Sequence, residues 1–331
     1  MEYRQLGKSG LQVSVLGLGT WTTIGERLDL NASKAVLDCA FEQGINFFDT
    51  ADVYNNGQSE RVLGELLNYF NWPREAYVIS SKVFFGLGAN PRPNTYGLSR
   101  KHIIEACHAS LKRLNLEYLD LYFCHRPDPN TPLLETVQAM SSLIHQGKIL
   151  YWGTSEWTAA QLLEVYQLTE NNSFLIPPIS EQSQYNLFAR ERVENELTPL
   201  YESHGLGITV WSPLRSGLLA GRYNNGVPPD SRLAAKENEA SRREVMGHNE
   251  DERIFLVNQL TDYVQQELNI SLAELALAWC LRNKSVSSAI IGASTASQII
   301  DNCKGISFAE TMNTGIMRKL DDIMLNNVYA T

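Results

Sequence analysis

Leu16-Gly17-Leu18-Gly19-Thr20-Trp21-Thr22 is the stretch on which the fold turns. It closes a short apolar run, Val15–Leu18, where a dinucleotide-binding doubly wound sheet would carry Gly-x-Gly-x-x-Gly and open a helix. Thr22 stands in place of the third glycine and no helix signal begins there, so that fingerprint is absent. Seven more short runs follow: Asn46–Asp49, Tyr77–Ser81, Leu119–Phe123, Tyr151–Gly153, Ile179–Gln182, Ile208–Trp211 and Ala289–Ile291. Several are apolar throughout and none reaches the next through a two-residue hairpin turn. Such runs fit parallel strands buried on both faces. Eight strand–helix alternations allow a closed barrel or an open doubly wound sheet. Without the glycine fingerprint they predict the α/β class and a (β/α)8 TIM barrel, one domain over residues 1–331.

The flanking signals agree with that reading. Tyr3–Leu6 and Leu11–Val13 around Gly7-Lys8-Ser9-Gly10 predict an N-terminal hairpin. Asn31 stands before the apolar face Val36, Leu37, Ala40 and Phe41, and Gly44 follows its end. Ser99 precedes Ile103, Cys107, Leu111 and Leu114, spaced as one helix face. Thr131-Pro132 reads as a cap followed by a first-turn proline. Thr158 with Gln161, Ser271 with Glu274 and Thr295 with Gln298 have capping-box spacing. Gly147 and Gly205 stand where left-handed helix ends belong. Residues 213–249, after the seventh strand, are rich in Gly, Pro, Asn and charge. A loop of that length on the strand-end side of a barrel is usually functional.

The bulk numbers narrow the function classes. The chain has 331 residues, 44% hydrophobic and 20% charged, enough for a core that needs no disulfide or metal. A formal charge of −9 argues against a nucleic-acid partner. The five cysteines, Cys39, Cys107, Cys124, Cys280 and Cys303, form no Cys-x-x-Cys pair and are expected to be buried free thiols. The N-terminus has no apolar signal core, and no apolar run approaches membrane-spanning length, so no direct membrane insertion and a cytoplasmic protein are expected.

Chemistry gathers at three strand ends. The second strand closes in Asp49-Thr50-Ala51, with Tyr54 five residues on; the third closes in Ser80-Ser81-Lys82; the fourth in Cys124-His125-Arg126. In a TIM barrel these C-terminal ends form the rim that carries the active site. A phenol beside an ammonium can protonate a carbonyl oxygen, the ammonium lowering the phenol pKa. A carboxylate holds the ammonium charged, and an imidazole orients the carbonyl. A lone Asp at a strand end is more often a cap and a lone buried Lys more often an ion-pair partner. Their order on consecutive strand ends points to function. No metal-ligand spacing, nucleophile triad or phosphate loop accompanies them.

Asp49-Thr50-Ala51-Asp52-Val53-Tyr54, Lys82 and His125 resemble the Asp-Tyr-Lys-His tetrad of the aldo-keto reductases. Longer motifs narrow the resemblance to the voltage-gated potassium channel β-subunit type and its bacterial relatives. They are Leu16 through Trp21, Leu98-Ser99-Arg100-Lys101-His102-Ile103-Ile104-Glu105, Arg126-Pro127-Asp128-Pro129-Asn130-Thr131-Pro132, Tyr151-Trp152-Gly153-Thr154-Ser155, Ala278-Trp279-Cys280-Leu281-Arg282-Asn283 and Gly292-Ala293-Ser294. The resemblance runs over nearly the whole chain. It implies an NADP-dependent oxidoreductase that reduces a small-molecule carbonyl, an aldehyde or ketone, with Tyr54 as general acid and Asp49, Lys82 and His125 as its catalytic partners.

The same resemblance implies where NADPH/NADP+ would lie. Gly19, Thr20, Trp21 and Asp49 would meet the nicotinamide end, Ser155 and Gln182 its carboxamide, and Trp211 its ring. Ser212, Pro213, Leu214, Arg215, Ser216 and Gly217 would wrap the pyrophosphate, with Arg222 and Arg232 adding positive charge. Gly292, Ser294, Gln298, Asp301 and Asn302 would hold the adenosine and its 2′-phosphate. Independently, Ser294 and Thr295 open the last helix, whose free N–H groups favour an anion, and guanidinium groups on the long loop suit phosphate. Three positions depart from the channel group. His125 replaces an asparagine and completes the reductase tetrad. Glu156 stands where that group has arginine, and Asp230 replaces an aromatic and adds negative charge near the phosphates.

Three readings stay open at this level. The first is a carbonyl reductase. The second is an NADPH-binding, redox-sensing auxiliary β subunit of a potassium channel with little turnover, a homo-oligomer of tetramer form. The chain begins almost at the hairpin, so no N-terminal inactivation segment is expected. The third is a barrel hydrolase or isomerase, since fold alone does not fix function. Trp21, Phe84, Phe85 and Trp152 point to an aromatic or small apolar carbonyl.

Overall fold

A computed structural model describes residues 1–88, 90–229, 231–234 and 238–325. Strands β1 (Tyr3–Gln5) and β2 (Gln12–Ser14) pair antiparallel as the expected hairpin. Eight parallel strands then close a barrel in chain order: β3 (Leu16–Gly19), β4 (Phe47–Asp49), β5 (Val78–Val83), β6 (Leu119–Cys124), β7 (Ile149–Ser155), β8 (Ser180–Gln184), β9 (Gly207–Trp211) and β10 (Val286–Ile291), which returns to pair with β3. Each apolar run read from the sequence is one of these strands, within a few residues at its ends. The (β/α)8 architecture, with helices between the strands and a long connection after β9, is as the sequence predicts.

The helices are α1 (Leu30–Glu42), α2 (Gln58–Phe70), α3 (Arg100–Leu114), α4 (Leu133–His145), α5 (Ala159–Glu170), α6 (Thr198–Ser203), α7 (Glu239–Met246), α8 (Glu250–Tyr263), α9 (Leu272–Arg282), α10 (Ala296–Ala309) and α11 (Thr314–Leu325). Ser99 caps α3 and Ser271 caps α9, while Thr158 and Gln161 close a reciprocal capping box on α5. Two expected caps fall elsewhere. The first helix is capped by Asp29, whose carboxylate accepts from Ala32 N, and Asn31 lies inside it. Pro132 is the cap residue of α4 and makes no side-chain bond, because the Thr131 hydroxyl is turned to Asp128 at 2.7 Å. Helix α10 is followed by α11, so the helix opened by Ser294 and Thr295 is not the last. The connection after β9 also carries its own short helices, a 3-10 turn at Arg215–Ala220 and α7.

The chain divides into two compact units. The first holds Met1–Gln184, Arg190–Trp211 and Ser285–Ile300, and therefore every strand. Its hairpin supplies Leu6 and Val13 to an apolar cluster with Phe47, Val78, Leu121, Phe123 and Ile290. Two phenyl rings of the barrel pack against bare glycine backbone. A Cβ on Gly153 would stand 2.6 Å from the Phe123 ring, and one on Gly17 2.8 Å from the Phe47 ring. The opposite, C-terminal ends of the strands are left to polar side chains. The second unit holds Tyr185–Ala189, Ser212–Lys284 and the described residues from Asp301 onward.

Candidate active site

Strand alternation and register together build the site. Ser80 and Lys82 point to the same face of β5, and Asp49 on β4 is the register partner of Ser80. Asp49 therefore receives the Ser80 hydroxyl at 2.7 Å and the Lys82 ammonium at 2.6 Å. Gln182 Nε2 reaches the same carboxylate from β8 at 3.2 Å. The Lys82 ammonium also donates to Thr50 O at 2.8 Å and to the Tyr54 hydroxyl at 3.2 Å. Its side chain is completely buried. Tyr54 sits on a short turn that passes through left-handed Asn55 and Asn56. The His125 ring meets Tyr54 edge-on at 5.9 Å between centroids, and the Trp21 ring lies 6.5 Å from Tyr54. The four catalytic residues predicted from the sequence are thus brought to one place, on the predicted rim.

The electrostatics follow from burial and neighbours. Burial works against the Lys82 ammonium, but Asp49 and Tyr54 outweigh it and hold its pKa above the ordinary lysine value. Burial raises Tyr54 above the ordinary phenol value, and the opposing pull of Lys82 does not cancel this. The sequence reading had the ammonium lowering that pKa; the net shift runs the other way because desolvation outweighs the cation. His125 is pushed well below the usual histidine range by burial and then by Lys82 and Arg126. At neutral pH the site therefore holds an ammonium, a phenol and an uncharged imidazole. The buried His125 Nδ1 has no hydrogen-bond partner among the described residues.

The other predicted residues of this unit line the same rim. Thr20 N donates to Asp49 O at 2.9 Å, directly after Gly19 at the end of β3, and Trp21 is 45% exposed. The Ser155 hydroxyl donates to Gln182 O at 2.9 Å. Trp211 is half-buried, and its indole N–H donates to Glu156 Oε1 at 2.8 Å. Glu156, at φ 60°, also accepts from Gln184 N at 2.9 Å, so it fixes the indole. The sequence reading noted Glu156 only as a missing arginine. Ser294 N and its hydroxyl are both taken by Gln298 Oε1, at 2.8 and 3.2 Å, just after Gly292. The N–H groups expected to be free for an anion are thus partly occupied.

In the second unit Ser212, Arg215, Ser216 and Gly217 all have positive φ, between 44° and 93°, around Pro213 and Leu214. Successive N–H groups on such a backbone form an anion-binding concavity. Arg222 N donates to Gly217 O at 3.2 Å. The Arg215 side chain does not extend the concavity but bonds Val245 O at 2.9 Å and Glu244 O. Asp301 is ion-paired to Lys304 at 2.7 Å and Asn302 is buried. Arg232 begins a 3-10 turn. Asp230 lies outside the described residues.

Two expectations about neighbouring groups change. Trp152 does not line the mouth: it is fully buried on the outer face of β7, its indole donating to Ile176 O at 2.7 Å. Phe84, Phe85 and Tyr96 do form an aromatic wall, and Phe85 lies 5.3 Å from the His125 ring. Among the cysteines, Cys39 and Cys303 are only half-buried, while burial pushes Cys107 to about 12. Ser80, Gln182 as a support of Asp49, and Glu156 as a support of Trp211 were missed as a set. Period-two spacing could have found Ser80; nothing in the sequence signals the other two roles.

A closed parallel barrel with this cluster on its C-terminal rim meets a matching family model. The Aldo/keto reductase family model covers residues 15–323, and the chain belongs to that family. The family supports an oxidoreductase, of a kind that generally uses NAD(P)H. The chain is also similar to two proteins each named "Probable voltage-gated potassium channel subunit beta". One, from Arabidopsis thaliana, is 45% identical over 98% of this chain and 97% of that protein. The other, from Oryza sativa subsp. japonica, is 44% identical over 100% and 99%. Among the described residues no helix is long and apolar enough to cross a membrane.

Proposed function

We propose that this protein is an NADPH-dependent reductase of aldehydes or ketones in which Tyr54 is the general acid. One observation carries the reading: the Tyr54 hydroxyl lies 3.2 Å from an ammonium that Asp49 keeps charged at 2.6 Å. Tyr54 gives its proton to the carbonyl oxygen as negative charge grows there. Lys82 stabilises the phenolate left behind, and Asp49 holds Lys82 in place. His125 stays neutral, and its ring, edge-on to Tyr54, orients the same oxygen. Acid catalysis of this kind is worth about 10²–10⁴-fold.

The residues present fit a nicotinamide dinucleotide. Gln182 Nε2 is engaged by Asp49, which leaves its Oε1 to accept from a carboxamide, with the Ser155 hydroxyl beside it. Trp211 is held by Glu156 as a flat, half-buried face for a ring. The left-handed residues Ser212, Arg215, Ser216 and Gly217 suit a pyrophosphate. Arg222 and Arg232, and Gly292, Ser294, Gln298, Asp301 and Asn302, complete the reading at the phosphate and adenosine ends. When bound there, a reduced nicotinamide would supply the hydride that the carbonyl carbon needs. The matching test is Tyr54→Phe, assayed with a neutral aromatic aldehyde and by NADPH fluorescence titration. Reduction falls at least 10²-fold while NADPH affinity is kept; undiminished turnover removes the reading.

The names of the two relatives favour a second reading, in which this protein is a cytoplasmic, tetrameric, redox-sensing partner of a potassium channel. It needs the same cofactor and little turnover. Co-purification with a channel tetramer, together with no measurable aldehyde reduction, would establish it over the first.

A further inference from the structure

The reductase reading leaves Arg126, a cation on this rim, without a task. Arg126 follows His125 directly after β6 and is half-buried. Its Nη1 donates to His125 O at 2.6 Å and, weakly, to Ser155 Oγ at 3.4 Å. Its Nε and Nη2 take no acceptor, and no carboxylate pairs with it, among the described residues. The neighbouring charges are already matched. Lys82 is bonded to Asp49 at 2.6 Å, and Arg192 stands 3.7 Å from Glu156 and 3.9 Å from Glu196. Among the described residues Arg126 is therefore a positive charge on this rim that no carboxylate compensates. It is close enough to act on both the Tyr54 hydroxyl and the His125 imidazole.

An apolar ring lies beside both the cation and the imidazole. The Phe85 ring lies 5.3 Å from the His125 ring, edge-on, and 6.0 Å from the Arg126 guanidinium carbon. Phe84 and Tyr96 extend that aromatic wall. A molecule whose carbonyl oxygen meets Tyr54 and His125 would pass its body along Phe85 and bring its far end to Arg126. A half-buried guanidinium with free donors is disfavoured until an anion meets it, and its planar fork matches a carboxylate.

We propose that Arg126 is a specificity-determining residue, which makes this site prefer aldehydes and ketones carrying a carboxylate beyond a short apolar or aromatic body over neutral ones of the same shape. The inference rests on the reductase reading and names its substrate class. The test compares 4-carboxybenzaldehyde with its methyl ester, with NADPH, on the full chain and on Arg126→Met and Arg126→Lys. The wild type favours the acid by about 10- to 100-fold in kcat/KM, the range of a charge-assisted hydrogen bond. Arg126→Met loses most of that ratio through a raised KM for the acid, and Arg126→Lys restores part of it.

Equal kcat/KM for acid and ester in the wild type overturns the inference and leaves the reductase reading standing. So does an Arg126→Met chain that slows both aldehydes alike, or one that loses NADPH affinity, since either places the arginine with the fold or the cofactor. A wild-type chain that turns over neither compound removes the reductase reading, and this inference falls with it.

Discussion

Lys82 is a fully buried ammonium with all three of its hydrogen bonds directed to named oxygens: Asp49, Thr50 and Tyr54. Without Asp49, burial would drive such a group to lose its proton; with it, Lys82 stays charged beside the phenol. The balance at Tyr54 matters for rate. Its pKa lies above the ordinary phenol value because burial exceeds the cation's pull. Reduction needs the protonated phenol, so the rate falls only as pH rises through that raised pKa. His125 titrates well below its ordinary range, so its neutral form persists on the acid side. The kcat/KM for a neutral aldehyde is therefore expected to be flat from about pH 6 to about pH 9, with a single alkaline decline. A steady-state profile with an inflection inside that window would contradict these environments.

At the scale of elements, the site depends on strands that are very short. The strand β4 has three residues, so its register against β5 alone sets Asp49 opposite Ser80 and within reach of Lys82. That register is held by how the strands fit around the interior rings. Gly153 on β7 faces Phe123 at a distance that admits no side chain, with Ser180 O 2.7 Å from the position a Cβ would take. Gly153→Ala must displace either the ring or the backbone of β8, two positions before Gln182. Overpacking of this type costs about 1–3 kcal/mol. Urea unfolding should show a loss in that range, with aldehyde turnover reduced further than the lost stability accounts for; an unchanged midpoint would show that the barrel absorbs the methyl freely.

At the scale of the whole molecule, the proposed cofactor is also a stabilising ligand. A chain that binds NADPH only when folded gains about 2.7 kcal/mol at a hundredfold excess over Kd. Thermal unfolding should shift upward with NADPH, and by less with NADH if Arg222 and Arg232 serve the 2′-phosphate. No shift with either nucleotide would count against both the reductase and the redox-sensing readings.

The architecture was legible because strands buried on both faces leave unbroken apolar runs, and Asp49, Tyr54, Lys82 and His125 stood out because each closes or follows such a run. The glycine pattern after β3 was enough to separate a barrel from a dinucleotide-binding sheet. Strand order, the rim and the chemical groups on it were therefore readable along the chain. Closure of the barrel was needed to show that Glu156 holds Trp211, that Gln182 braces Asp49, that Trp152 is core, that Tyr54 is shifted upward, and that Arg126 meets no acid among the described residues. The physical reason is one of range. Strand and cap signals act over a few neighbouring residues, whereas charge balance and burial at a side chain depend on residues as distant as Asp49 and Gln182, which become neighbours only when the barrel closes.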